Sequence, residues 1–323
     1  MADKDGNLKF VVAGVGGGGC NSLTRLAKKG FKGAKLIAFN TDKKALGILP
    51  EGIERVIIGK SITEGFGAGG KIDIGRDAAL SAKAKIEECV KDADLVFILA
   101  GMGGGTGSGA APVIAEIAKE QKALVLGFVY FPFALERGRI RIAQIGISKL
   151  TDFCDSLVVI ENDLLVNWMG NIPVEEAFAM ADEVAETAVA GISKTILEPS
   201  LMNIDFADIC AITRDKGLSM MSTGWASGPM KAHSIVPNVL EHPLLTVNYS
   251  AASGALIHFT GGDDLKLGDA TMAGELLMSK LPDNVNVSWG ARVDESKKGE
   301  LEAFVIFTGI PSPLLLDPDA GME

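Results

Sequence analysis

Six of the nine residues from Gly101 to Gly109 are glycine. Such a run reads as a loop, and its flanks show what it connects. Asp94 to Ala100 is almost purely apolar, the pattern of a strand buried on both faces. Pro112 to Lys119 reads as a helix start, with Pro112 near the first turn and Ser108 as its N-cap. A strand, a glycine loop and a helix N-terminus in succession make an anion site. The glycines let the backbone approach a phosphate, N–H groups point inward, and the helix dipole favours negative charge. Thr106 and Ser108 add hydroxyls within such a loop. A plain tight turn does not need a run this long.

A second loop of the same kind stands near the N-terminus. Leu8 to Val15 reads as a strand, Gly14 to Ser22 is GVGGGGCNS, Ser22 to Lys29 is a short helix closed by Gly30, and Lys35 to Asn40 is the next strand. This βαβ unit also satisfies GxGxxG from Gly14 to Gly19. Asp42 follows about 20 residues on, where dinucleotide enzymes hold a ribose. Two phosphate loops on neighbouring strands suit a mononucleotide polyphosphate held from both sides better than a dinucleotide. Ile53 to Gly59 is a further strand, and Gly65 to Gly70 a third glycine loop, either a mobile surface loop or a lid over a terminal phosphate. Asp73 to Asp92 reads as one amphipathic helix with Ala79, Ala82, Ile86 and Val90 on one face.

The net charge of −10 argues against a nucleic-acid groove but not against a local phosphate site. The polar, acidic start shows no signal peptide. The longest glycine-poor apolar stretch, Ala123 to Leu135, is too short to span a bilayer. Cys20, Cys89, Cys154 and Cys210 form no CxxC pair and are read as reduced, in a cytoplasm. His233, His242 and His258 show no metal-ligand spacing.

Leu124 to Tyr130 is a buried strand running into Phe131-Pro132-Phe133-Ala134-Leu135-Glu136 and the basic cluster Arg137, Arg139, Arg141. The cluster follows a strand end, the edge where open α/β sheets bind ligands. Ser156 to Ile160 is the last strand of this half. Val174 to Leu197 is a long helix with Val174, Phe178, Ala181, Val184, Ala185, Ala188 and Ile192 at helical spacing. Leu201 to Ile209, LMNIDFADI, places Asn203, Asp205 and Asp208 in a loop before a strand; by composition it is an N-capping turn. Gly217 to Gly224 reads as a glycine/Met loop. Lys231 to Leu245 contains a helix broken or delayed by Pro237, and Leu267 to Lys280 includes another. Gly254 to Thr260, Asn286 to Gly290 and Leu301 to Ile310 are strands.

The stretch GGGTGSG resembles the signature loop of the tubulin/FtsZ family of GTPases, and the other motifs follow in that family's order from Leu8 to Ile310. Chain length, the NxDFAD loop and the AFxxAD helix are more similar to the FtsZ branch than to tubulin. Ile58 to Gly70 looks more like archaeal than bacterial members. The resemblance implies GTP/GDP as ligand, with Mg²⁺ on the phosphates and no protein metal site. It implies nucleotide contacts from Gly16, Gly17, Gly18, Cys20 and Asn21, and from Asn40 and Thr41. Gly67, Ala68, Gly69 and Gly70 would lie near the γ-phosphate, and Gly103, Gly104, Gly105, Thr106, Gly107, Ser108 and Gly109 would form the signature loop. Pro132 and Glu136 match the family's PFxFEG segment, where the Glu meets the ribose. The following Arg is either Arg139 or Arg141, because the chain is one residue shorter here. Asn162 matches Pro-Asn-Asp, with Glu161 in place of the Pro.

By the same resemblance Phe178 stacks on guanine. Asp182, one turn later on the same face, can accept the guanine N1–H and N2–H₂ together, a donor pair that adenine lacks. Asp205 and Asp208, with Asn203, would be catalytic, reaching into the nucleotide site of the next subunit to orient the attacking water. The implied fold is α/β. A Rossmann-like GTPase domain with a parallel sheet spans 1–173, a long central helix 174–200, and a smaller α+β domain 201–323, carrying the catalytic loop at its start. The implied function is a GTP hydrolase that self-assembles head to tail into the filament of the cell-division ring, cytoplasmic at the division site. It would have no nucleic-acid partner and no direct membrane insertion. Family members commonly continue into a linker and a tail for membrane-anchoring division proteins. No such tail is visible up to Glu323, which leaves a shortened chain and a different mode of recruitment both open. Two alternatives remain: a dinucleotide-binding oxidoreductase, and a slow-hydrolysing regulatory member, for which the departures at Phe131, Arg137 and Glu161 leave room.

Overall fold

The computed structural model describes residues 8–164, 173–214, 216–241 and 248–310. These fall into two compact units that divide between Glu186 and Thr187. The first unit carries a parallel sheet of β1 (Phe10–Val15), β2 (Lys35–Asn40), β3 (Ile53–Ile57), β4 (Leu95–Gly101), β5 (Leu124–Phe131) and β6 (Ser156–Glu161), in the order β3-β2-β1-β4-β5-β6. Every residue of β1 and β5 is buried, as is β4 up to Ala100. Helices cover both faces of such a sheet, so its central strands have no solvent side and read as unbroken apolar runs. The chain steps outward from β1 to β3, then returns to the other side of β1 at β4. In open sheets that reversal opens a crevice at the carboxyl ends of the strands.

The helices of this unit are α1 (Gly16–Lys28), α2 (Lys43–Gly47), α3 (Lys60–Thr63), α4 (Ile72–Ser81), α5 (Lys83–Val90), α6 (Gly105–Glu120) and α7 (Arg137–Thr151). Both glycine loops are shorter than the sequence suggests. α1 starts at Gly16 rather than Ser22, and α6 at Gly105 rather than Pro112, so Pro112 lies inside the helix. Packing overrides propensity here. A Cβ on Gly19 would sit 2.0 Å from the Leu99 carbonyl oxygen, and one on Gly107 2.2 Å from that of Gly101. These glycines let the first helical turns lie directly against β4, at a propensity cost of up to about 1 kcal/mol each. The single helix expected over 73–92 is two, broken at Ala82, whose φ of −104° and ψ of 12° leave the helical region.

The second unit is a four-stranded sheet in the order β7-β10-β8-β9. It is built from β7 (Gly217–Ser227), β8 (Gly254–Gly261), β9 (Asn286–Val293) and β10 (Glu300–Thr308). β10 is antiparallel to β7 and β8, and β8 is parallel to β9. The segment expected as a glycine/Met loop is therefore strand β7, paired with β10 from Ser219 to Ser227. α8 (Val174–Leu197) has the expected limits, and its 24 residues span about 36 Å. α9 (Phe206–Thr213) stands where a strand was expected; its buried Ile209 and Ile212 are spaced for a helix. α10 (Lys231–Leu240) runs through Pro237 without a break, and α11 is Leu267–Met278. Ile235, Val239, Ala273 and Leu277 from α10 and α11 share a core with Phe259, Val305 and Phe307 of the sheet. His242, Leu245 and residues 311–313 lie outside the described residues, as does the Val174 side chain. No described helix is long and apolar enough to cross a membrane.

Candidate functional site

The parallel register brings four strand ends to one edge. Val15 pairs with Ala100, Gly101 with Tyr130, and Phe131 with Glu161. The loops after β1, β4, β5 and β6 therefore lie side by side and line a cavity of about 420 Å³. That is within the range of roughly 300–1,000 Å³ usual for small-molecule sites. Its floor is formed by the N-terminal turns of α1 and α6, two helix ends whose unpaired N–H groups and dipoles favour an anion.

The glycines here are of two kinds. Gly105 is hemmed in, with a Cβ position 2.7 Å from the Lys71 nitrogen. Gly17 and Gly104 line the cavity, and apart from their chain neighbours and local helix backbone no described atom lies within 4 Å of where their Cβ would be. Gly18, Asn21, Ala68, Gly69, Gly70 and Thr106 also face the cavity. The Thr106 hydroxyl is 2.7 Å from that of Thr41, which is fully buried.

Several residues expected at the site lie a layer behind it. Asn40 and Thr41 are buried beneath the loops, and Thr41 accepts from Gly67 N at 3.2 Å. Cys20 is a core residue whose thiol is pushed up to about 12 by burial, against a smaller opposing effect of Asn40. Ser108 is not an N-cap. It is buried within α6, and its Oγ accepts from Gly103 N at 2.9 Å, because the helix begins three residues before it. Gly16, Gly67, Gly103 and Gly109 shape the loops without lining the cavity. Asp42 spends its carboxylate on capping α2, accepting from Lys44 N at 2.8 Å and Ala45 N at 3.1 Å. It does not line the cavity as a dinucleotide's ribose-binding acid would.

At the other end of the cavity Pro132, Glu136 and Arg139 line the wall. Glu136 Oε2 accepts from Arg139 Nη1 at 2.6 Å. Of the two candidate arginines, Arg139 reaches the cavity and the exposed Arg141 does not. Asn162 is 7% exposed, and its Oδ1 has no hydrogen-bond partner among the described residues. A buried acceptor left so costs about 1–3 kcal/mol unless a ligand donor meets it. The ring of Phe178 is 38% exposed and held edge-on by Phe133 at 5.9 Å between centroids.

Asp182, one turn on, is buried and accepts from Ser22 Oγ and from Arg25 Nη1. Arg25 and Tyr130 line the same cavity. Neither they nor Ser22 stood out in the sequence. The one available signal was polar residues at positions 22 and 25, three apart on a helix that otherwise buries Leu23 and Leu26. Among the described residues no group of three or more His, Cys, Asp and Glu side chains could hold a metal ion.

In the second unit Asn203, Asp205 and Asp208 lead into α9. Asp205 Oδ1 accepts from Asp208 N at 2.8 Å, and Asp208 Oδ2 accepts from Asp205 N at 3.0 Å, a reciprocal helix cap. Asn203 Oδ1 accepts from Ser200 N at 3.0 Å. Asp205 is exposed and Asp208 half-buried.

Residues 9–170 match the GTPase domain of the tubulin/FtsZ family, and residues 217–311 match the FtsZ family's C-terminal domain. Cell division protein FtsZ 2 of Methanocaldococcus jannaschii is 44% identical over 322 residues, covering 99% of this chain and 84% of its own. FtsZ 2 of Halobacterium salinarum is 43% identical, covering 98% and 80%. The structure is similar to that of an FtsZ dimer from M. jannaschii, with a TM-score of 0.85 at 39% identity, covering 95% of this chain and 89% of that one.

Proposed function

The chain belongs to the FtsZ branch of the tubulin/FtsZ family of GTPases, and on that premise we propose that it hydrolyses GTP in a site completed by a second copy of itself. The observation that carries this reading is the cavity at the strand ends. Two helix N-termini face one end of it, and the buried Asp182 with the partly exposed ring of Phe178 faces the other. Phosphates fit the first end. Gly17 and Gly104 present backbone there with no side chain of the chain in the way. Guanine fits the second, stacked on Phe178, with its N1–H and N2–H₂ donated to Asp182. Glu136 and Arg139 are placed to meet the ribose, and Asn162 Oδ1 takes one further donor from the nucleoside.

Among the described residues that line the cavity the acidic ones are Glu136 and Asp182, and both are read here as serving the nucleoside. By its resemblance to the family's NxDFAD loop, the segment with Asp205 and Asp208 is assigned as the water-orienting group for the next subunit in a head-to-tail filament. A carboxylate there orients the water for in-line attack on the γ-phosphate. Mg²⁺ carried on the phosphates would neutralise their charge. Exposed apolar side chains flank both half-sites, Phe66 and Leu135 near the cavity and Leu201 and Met202 before Asn203. They suit burial against another copy. Loss of the γ-phosphate would then weaken the contact, giving a filament that turns over. In the cell we place it in the cytoplasm at the division site, with membrane-anchoring division proteins as further partners. α8 is read as the link between the GTPase unit and the second unit.

The test is phosphate release from GTP, with ATP as control, over a range of protein concentrations. Activity per molecule that rises above a threshold, with GTP alone, supports a site completed by a neighbour. Activity that is flat with concentration refutes the assignment of Asp205 and Asp208. Tight GTP binding without release would instead mark a regulatory member.

A further inference from the structure

Behind the base end of the cavity, three buried groups form a chain. The Tyr130 hydroxyl lies 3.0 Å from Ser22 Oγ, and Ser22 Oγ bonds Asp182 Oδ1. Tyr130, Ser22 and Asp182 are 8%, 1% and 4% exposed, so water does not compete for these bonds. Ser22 has one proton and three oxygens within reach, the third being the Gly18 carbonyl at 3.2 Å. A carboxylate only accepts, and a bond to it is roughly twice as strong as a neutral one. The Ser22 proton therefore goes to Asp182, and the Ser22 oxygen accepts from Tyr130. Burial raises the Tyr130 phenol above its ordinary pKa, so it keeps the proton it donates. From the other side Arg25 Nη1 donates to Asp182 Oδ2. Each carboxylate oxygen is thus held through one lone pair and keeps another for a ligand.

We propose that Tyr130 and Ser22 are positioning residues that set base specificity, locking the Asp182 carboxylate so that both oxygens face the two donors of guanine at once. This rests on the base reading given above. A carboxylate that turns about its last torsion can offer one oxygen to any exocyclic amine, adenine's included. Held at both oxygens, it rewards a base with adjacent N1–H and N2–H₂ groups. Hypoxanthine has the first donor and lacks the second, so it reports on the second bond alone.

The experiment measures affinities for GDP, IDP and ADP by calorimetry in the unaltered protein and in Ser22→Ala, Tyr130→Phe and Asp182→Ala, with melting of each nucleotide-free protein alongside. The expected result is a guanine-over-hypoxanthine ratio lowered about tenfold in Ser22→Ala, the loss of one bond to a charged group. Tyr130→Phe should lower it less, roughly threefold, since Ser22 can still donate. An unchanged ratio in Ser22→Ala, with the ratio collapsed in Asp182→Ala, overturns the relay and leaves the base reading standing; Ser22 then merely bonds back to Gly18 as helix serines do. An unchanged ratio in Asp182→Ala overturns the base reading itself. Equal weakening of all three nucleotides with a lower melting temperature makes Ser22 a packing residue and overturns the relay.

Discussion

Gly17→Ala should strengthen the fold and weaken nucleotide binding, two effects of opposite sign from one methyl group. Gly17 lies in the first turn of α1, and it is not among the glycines with positive φ. Beyond its chain neighbours and the local backbone of α1, its Cβ would meet no described atom within 4 Å. An alanine there removes backbone freedom from the unfolded chain, worth about 0.5–1 kcal/mol at a helical position. For a chain this long that corresponds to a melting temperature higher by roughly 1–3 °C. The same methyl projects into the cavity where phosphate oxygens must approach backbone N–H groups. Losing one such charge-assisted bond costs about 1.5–3 kcal/mol, roughly a tenfold to hundredfold loss of affinity. Stabilisation by a fixed excess of GDP falls by the same amount. Melting curves with and without GDP should therefore cross, the variant melting higher alone and lower with ligand. Gly19→Ala is the contrast, because its methyl would meet the Leu99 carbonyl and destabilise the protein in both conditions. Unchanged GDP affinity in Gly17→Ala would refute the placement of the phosphates at this loop. Reduced stability without ligand would refute the open approach to Gly17.

Asp205→Ala and Asp208→Ala should each abolish hydrolysis with GTP binding intact, and each removes half of a helix cap worth about 0.5–2 kcal/mol. Asp205→Asn separates the two roles, since an amide still caps; it should restore the melting temperature and leave phosphate release absent. Arg139→Ala should weaken GDP binding several-fold in calorimetry, whereas Arg141→Ala should not, and the reverse result would move the ribose contact to Arg141. His258, buried beside Ser200 at 3.2 Å, is lowered by burial from 6.5 to about 4. The unfolded chain takes up a proton below pH 6.5 and the folded one does not until about pH 4. Its contribution is thus complete above pH 6.5 and is lost as pH falls through that window, on the order of 3 kcal/mol in full. His258→Asn should flatten the stability profile between pH 6.5 and 4, as read by denaturant titration; an unchanged slope would place the acid sensitivity elsewhere.

What the sequence revealed depended on how local the cause was. Lys35–Asn40 and Val174–Leu197 have the limits that their patterns imply, because alternation and helical spacing are written within each segment. The starts of α1 and α6 were hidden, since glycine disfavours helix on its own. What lets these turns form is close approach to segments distant in sequence: Gly19 lies against Leu99 of β4, and Gly105 against Lys71. β7 looked like a loop because its pairing partner β10 lies some 80 residues on, and nothing in GLSMMSTG announces that partner. Arg25 and Ser22 were missed for the same reason: Asp182, the group they hold, stands more than 150 residues away. Family resemblance had limits of another sort. It groups Asn40, Thr41 and Cys20 with the ligand contacts, and in the structure they are buried beneath the loops that face the cavity, a depth that no motif states.

The loop at Asn203 shows why composition and resemblance gave different answers without conflict. Composition reads a cap, and the cap is there: one oxygen each of Asp205 and Asp208 is committed to the other's backbone N–H. Each carboxylate keeps its second oxygen, and the reciprocal bonds fix where that oxygen points. Asp205 on its own chain faces solvent. In water its field is screened by a dielectric near 80, and it polarises a water molecule weakly. Against a neighbouring subunit the effective value falls to about 20, which strengthens the same charge roughly fourfold. On the proposed reading the cap holds the catalytic group rigid, and assembly removes the screening. One small motif then makes hydrolysis conditional on polymerisation without any change in the fold of either subunit.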